Sequence, residues 1–471
     1  MLCYTVTVRG CPTNTLISAA RGSFHWHIVD STSFGYASAS HPEVAAEGSW
    51  SGSLQGPGHS FNSAAYSAAD IARIVDKAKS LFIDVMFELD TPAHTMSWSR
   101  SHPEAMADCW DWLESSKQHH DIAAGRIDMI AVDPTSDSPA RPLARELLRE
   151  LAALSDSEYF HIGGDELNPA CWNATQNIRQ FTRRKFGGDD TVAYRKLEAE
   201  WHRDVAARTV KQEGKVPVMW QPAGPLDPGT WDDTYETMPP DTVFMLWYPR
   251  HTLAARAYAD QQRDVVICSP FYLDQLLPGD VLDREITPAD LLVDRWRGVY
   301  TVDITAGLSA DEKLRVLGGQ VSIWGEAVDD ANVFNQAFTL GGAAAEALWS
   351  SGPSGPVQMS DTGDAAEGFA TEQRFSRWIC HLRGFGIVAA PLLPSHCQVI
   401  RHQPVTTMSP RASGTNGCAN TVARGDGEWS TGAVVLSLLG GAVLGVLVSS
   451  LIVLKQRKQP AGSDFPIQTN G

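Results

Sequence analysis

Apolar residues come in short blocks along this chain. Runs fall at 24–30, 82–90, 159–166, 216–221, 243–249, 265–274 and 320–326, each closing on polar or aromatic residues. Their length and their Val, Ile, Phe and Tyr content predict strands. Between them, 68–80, 142–154 and 192–212 carry apolar residues at helical spacing. Such alternation predicts a parallel sheet covered by helices. Seven strand candidates, each ending in functional-looking residues, predict an α/β fold of the TIM (β/α)8 type with its active face at those ends. A doubly wound open sheet would carry a Gly-rich phosphate loop after its first strand, and none is present. Beyond 326, a helix runs through Leu348-Trp349, 351–367 is a Gly/Ser/Pro/Asp-rich insertion, and 370–384 is a last amphipathic helix.

The C-terminal end reads differently. Residues 399–431 are polar and poor in apolar positions, which predicts a flexible stalk. Residues 432–454 hold no charge and suffice for a single transmembrane helix. Lys455-Gln456-Arg457-Lys458 follows, so 455–471 is expected to be a cytoplasmic tail. Everything before the span is then extracellular or lumenal, at the cell surface or in an endolysosomal compartment. That topology calls for an export signal, yet 1–22 lack a charged start followed by a long apolar run. Residues 1–16 are therefore an unassigned N-terminus, truncated or mis-started.

Charge narrows the partners. A net charge of −17 and a pI near 5.2 argue against nucleic acid, which wants a basic face. The exported side permits disulfides among the eight cysteines and makes Asn173-Ala174-Thr175 a glycosylation acceptor. Cys268, inside an apolar run, reads as a buried thiol.

The densest chemistry is His161-Ile162-Gly163-Gly164-Asp165-Glu166. Neighbouring side chains on a strand face opposite ways, so Asp165 and Glu166 serve one pocket only if the chain turns there. Gly163 and Gly164 permit that turn. Paired carboxyls at a strand end suit acid/base or electrostatic work.

Other strand ends add to this pair. His25-Trp26-His27-Ile28-Val29-Asp30, Glu88-Leu89-Asp90-Thr91-Pro92-Ala93-His94, Trp220, Trp247, Ser269-Pro270-Phe271-Tyr272-Leu273-Asp274 and Trp324-Gly325-Glu326 stand in one order around it. Together they resemble glycoside hydrolase family 20, the β-N-acetylhexosaminidases of eukaryotic lysosomal type, over a catalytic barrel at 17–398. The resemblance implies an exo-acting enzyme that releases terminal β-linked N-acetylglucosamine or N-acetylgalactosamine from a glycan or glycoconjugate. In that family the substrate's own acetamido oxygen is the nucleophile, giving an oxazolinium intermediate and retention. Glu166 would be general acid and then base, Asp165 would orient the acetamido group, and Tyr272 would bond its oxygen. Trp220, Trp247 and Trp324 would wall the pocket, and Asp274 and Glu326 would hold sugar hydroxyls. Asp30, His94 and His161 would hold the carboxylates from behind. The resemblance also implies bridges Cys109–Cys171 and Cys380–Cys397. No cofactor and no metal is expected, since His25 and His27 share a strand face without convergent Cys or carboxylate ligands. A homodimer is left open.

The resemblance fails at one place. The family's first strand carries a sugar-gripping arginine and leads into a helix, but Arg9 stands only 16 positions before His25 (25 − 9). A strand–helix unit takes about 30 residues. A barrel lacking a normal first strand–helix unit is therefore expected. The alternative reading is a catalytically inactive, membrane-anchored sugar-binding relative.

Overall fold

The computed structural model describes residues 2–8, 20–49, 65–115, 130–222, 232–248, 250–273, 295–325, 328–329, 331–350, 365–392 and 397. Nine strands form one curled, mostly parallel sheet of the TIM-barrel type. They are β1 Leu2–Val8, β2 Ala20–Asp30, β3 Ser33–Phe34, β4 Ile83–Leu89, β5 Tyr159–His161, β6 Val216–Trp220, β7 Val243–Leu246, β8 Asp264–Ile267 and β9 Val316–Ile323. Their order is β1-β9-β8-β7-β6-β5-β4-β2-β3. All seven predicted runs are strands here, as β2 and β4 to β9.

Within the segment left unassigned, residues 2–8 form β1, which belongs to the sheet. It pairs antiparallel with β9, Leu2 opposite Ile323, and antiparallel with β2, Cys3 opposite His25. The two ends of the ladder are thereby joined. A parallel neighbour of β2 would need a crossover of about a dozen residues or more, usually a helix. Only 9–19 link the two strands, so the reversed direction is the one the chain length favours. Among the described residues, a strand of opposite sense stands between β9 and β2.

Strand faces alternate with the period of two that a barrel requires. Val85, Phe87, Phe244, Leu246, Val265 and Ile267 face the helices, while Met86, Val218, Val243, Met245, Val266 and Cys268 pack inside. Outside, helix Ala140–Ala152 lays Leu143, Ala144, Leu147, Leu148 and Leu151 on the sheet. Helix Ala68–Lys79 opens on a capping box between Ser67 and Asp70, which satisfies two end donors. The segment predicted as one helix at 192–212 is helix Thr191–Trp201, a π turn His202–Ala207, and helix Arg208–Gln212. A second core gathers Phe271, Val321, Phe338, Ile379 and Leu382 beside helices Val333–Ser350 and Ala365–Gly384.

Both implied disulfides form, Cys109–Cys171 and Cys380–Cys397, and Cys268 is a buried free thiol. The first closes a 62-residue separation, a staple worth about 2–4 kcal/mol. The stalk at 399–431, the span at 432–454, the tail at 455–471 and most of the 351–367 insertion lie outside the described residues. Among the described residues, no helix is long and apolar enough to cross a membrane.

Candidate active site

The site grows from three neighbouring strand ends, β2, β4 and β5. On β4, the alternation that sends Phe87 and Leu89 outward sends Glu88 into the barrel, where it is fully enclosed. Its Oε1 accepts from the Trp220 indole N–H at 2.7 Å and lies 2.8 Å from His161 Nδ1. Its Oε2 lies 2.9 Å from His25 Nε2 and 3.6 Å from His27 Nε2. Burial opposes the charge on Glu88, but His161, His27 and His25 outweigh it and hold the carboxyl well below its ordinary range. Burial pushes His27 and His161 down to about 4. The expectation that His25 and His27 lack a convergent carboxylate is therefore wrong. Glu88 reaches them from the next strand, at a register that sequence does not reveal.

Two residues past Glu88, Asp90 is also wholly enclosed, and it shapes the turn after β5. Gly163 and Gly164 have φ of +72° and +106°, and Glu166 has φ of +54°. A Cβ on Gly163 would stand 1.6 Å from Asp90 Oδ1. Glycine is required there twice over, by conformation and by contact. The Gly164 N–H donates to Asp90 Oδ1 at 3.0 Å. This turn reverses the strand alternation and presents both acids to one side.

His94 sits between them. Its Nδ1 is 2.5 Å from Asp90 Oδ2 and 3.6 Å from Asp165 Oδ1, and its Nε2 is 3.4 Å from Glu166 Oε2. Burial resists a charge on His94, but Asp165 and Asp90 raise it well above the usual imidazole value. Burial and the Asp165 charge drive Asp90 upward, with His94 opposing them. For Asp165, burial is outweighed by the His94 cation, and its carboxyl is held low. The result is one buried cluster in which Asp165 is held low, His94 is held high and Asp90 is pushed upward. Glu166 differs sharply, with its side chain 51% exposed at the mouth. One carboxylate is buried and fixed; its neighbour is accessible.

Aromatic rings complete the mouth. Tyr272 stacks on Trp324 at 6.0 Å, and Trp324 lies 5.8 Å from Trp220 and 5.7 Å from His27. Trp247 donates to the Gln221 carbonyl at 2.8 Å and stacks on Tyr248 at 4.0 Å. Trp220 is 1% exposed, with its N–H on Glu88 and its ring beside Trp324. Asp30 lies 3.3 Å from His27 Nδ1, and burial raises its pKa. Asp274 and Glu326 lie outside the described residues. Asn173 is exposed, and its Oδ1 accepts from the Tyr194 hydroxyl at 3.0 Å.

Several residues escaped sequence reasoning. Glu88 and Asp90 stood in a quoted motif without a role. Tyr248 is pushed up to about 12, first by burial and then by Glu166 and Asp165, which places it in their field. His202, on the π turn, donates its Nε2–H to the Thr91 carbonyl at 3.0 Å, and burial lowers it to about 4. A π turn inside a helix often marks a functional site, but nothing in the sequence signals it.

Fold and site together define a barrel-type protein with a carboxylate pair and a group of aromatic rings at its strand ends. The catalytic domain of glycosyl hydrolase family 20 matches residues 19–352, and the chain belongs to that family. It is 27% identical over 384 residues to β-hexosaminidase subunit alpha of Bos taurus, covering 80% of this chain and 61% of that one. Against β-hexosaminidase subunit beta of Homo sapiens it is 28% identical over 379 residues, covering 79% and 57%. The chain thus spans about three fifths of these curated relatives. A GH20 exo-β-N-acetylglucosaminidase from Vibrio harveyi, solved with N-acetylglucosamine, shares the fold at TM-score 0.57 and 20% identity, covering 79% of this chain and 54% of that one. A β-N-acetylhexosaminidase from Bacteroides fragilis does so at TM-score 0.56 and 19% identity, covering 79% and 66%.

Proposed function

We propose that this chain is an exo-acting β-N-acetylhexosaminidase that cleaves terminal β-linked N-acetylglucosamine or N-acetylgalactosamine with retention. The observation that carries the reading is the unequal pair on one turn, buried ionised Asp165 beside exposed Glu166. A substrate-assisted displacement wants that inequality. The acetamido oxygen attacks the anomeric carbon as the glycosidic bond breaks, and Glu166 gives its proton to the leaving oxygen. Asp165, kept anionic by His94⁺, accepts the acetamido N–H and steadies the positive ring that forms. Water then opens the ring, with Glu166 taking its proton. Tyr272 aligns the acetamido oxygen, Trp247 and Trp324 flank the sugar, and Asp274 and Glu326 take its hydroxyls. We place the catalytic barrel on the extracellular or lumenal side, held by 432–454, with Asn173 glycosylated.

Purified protein turning over a chromogenic N-acetylglucosaminide, with Glu166→Gln reduced about 10²–10⁴-fold, is the expected result. The reversed direction of β1 favours the second reading, a sugar-binding relative without turnover. Binding of N-acetylglucosamine with no hydrolysis by the wild-type chain would select it.

A further inference from the structure

Away from the acid pair, on loops that also leave the strand ends, five side chains converge. His41 precedes helix Pro42–Gly48 after β3, and His102 precedes the short turn Pro103–Ala105 after β4. Glu43 Oε1 stands 3.2 Å from His41 Nδ1 and 3.1 Å from His102 Nε2. These three atoms all lie within 4.8 Å of one another. The outer nitrogens are occupied as well, His41 Nε2 by Glu146 Oε2 at 2.6 Å and His102 Nδ1 by Glu104 Oε1 at 3.2 Å.

We propose that His41, Glu43 and His102 bind a divalent transition cation of the zinc class, clamping the loop after β3 to the loop after β4. Four arguments support it. Donors around a tetrahedral Zn²⁺ with bonds near 2.0–2.1 Å stand about 3.3 Å apart, close to the two Glu43 distances. Each imidazole has its remote nitrogen on a carboxylate, the outer-sphere arrangement that orients and strengthens histidine ligands. Three carboxylates surround two imidazoles, an excess of negative charge that a divalent cation neutralises. The backbone is also set in advance. A Cβ at Gly48 would stand 2.2 Å from the Ser97 carbonyl, so the two loops already touch. The His41 N–H donates to Ser38 Oγ, which donates to Glu150 at 2.7 Å. Two nitrogens and one oxygen favour zinc over magnesium or calcium, which take all-oxygen sets. The fourth position is left to water. The site is separate from Asp165 and Glu166, so it stands whether or not the chain turns over a hexosaminide.

The test uses the full chain made without a histidine tag, stripped with chelator and titrated with Zn²⁺ by calorimetry, with thermal unfolding alongside. One Zn²⁺ per chain and a raised midpoint are expected, with no response to Mg²⁺. His41→Gln/His102→Gln should abolish both effects, and Glu146→Gln, which touches only an outer nitrogen, should weaken binding about 10–100-fold. Unchanged circular dichroism of Glu146→Gln separates lost binding from lost folding. No binding by the wild-type chain overturns the proposal. So does a double variant that binds as before, which would move the metal to the Asp90, His94 and Asp165 group.

Discussion

The barrel interior is divided into two unlike halves. Strands β2, β4 and β5 turn His25, His27, Glu88 and His161 inward, while β6, β7 and β8 turn Val218, Val243, Met245 and Val266 inward with Cys268 just beyond. The apolar half requires only contact to be stable. The polar half sets a carboxylate and three imidazoles in a buried space, and is tolerable only because each meets another. Trp220 is the seam: its ring packs with the apolar half and its N–H serves Glu88. The difference shows where the chain accepts a stability cost. Glu88 and Asp90 stand behind the turn that aims the two acids, and that half is the one built for chemistry.

Glu88→Gln breaks the contrast hardest. It keeps the shape and one acceptor for Trp220 but removes the charge that His25, His27 and His161 face. A loss of about 3–5 kcal/mol in denaturant unfolding is expected, with activity falling as the turn at 163–166 loosens. Met245→Ala is its counterpart in the apolar half. It should cost about 2–5 kcal/mol from lost contact and cavity, while KM and kcat stay near wild type at permissive temperature. If Met245→Ala disturbed the kinetics as much as Glu88→Gln, the division of labour between the halves would be wrong.

What the sequence made legible follows the same division. Seven strands were readable because outward-facing Phe87, Phe244 and Ile267 and inward-facing Met86 and Met245 leave dense apolar runs. The acid pair was readable because two glycines mark a turn that no other residue could make. The polar half was not, since Glu88 meets His161 only through the parallel register that pairs those two residues. Local pattern carries no information about which strands lie side by side. Tyr4–Val8 alternates like a strand, yet nothing in it states its direction; the short link to β2 does. The His41 and His102 convergence was invisible for the same reason as Glu88, being made by two loops on different strands.

A pH-dependent contrast comes from Glu198, which lies on the helix wall near this polar half and takes no part in the proposed reaction. It is 3% exposed, and burial pushes its carboxyl up to about 8, with Arg195 opposing and Asp232 adding to the rise. Arg195 is itself held by Asp232 at 2.5 Å, which limits what it can give Glu198. In the unfolded chain a glutamate ionises near 4.3. Between that value and about 8 the folded state therefore holds a proton that the unfolded state has released. Stability should fall as pH rises through this window, by at most about 1.4 kcal/mol per pH unit, and level off above 8. Glu198→Gln keeps the buried shape and cannot titrate. Measured by urea unfolding at pH 5, 6.5 and 8, the variant should gain on wild type step by step as pH rises. Other groups titrate identically in both chains, so the difference isolates this carboxyl. Parallel curves for the two proteins would show that Glu198 is ionised in the fold, and that Arg195 is its true partner after all.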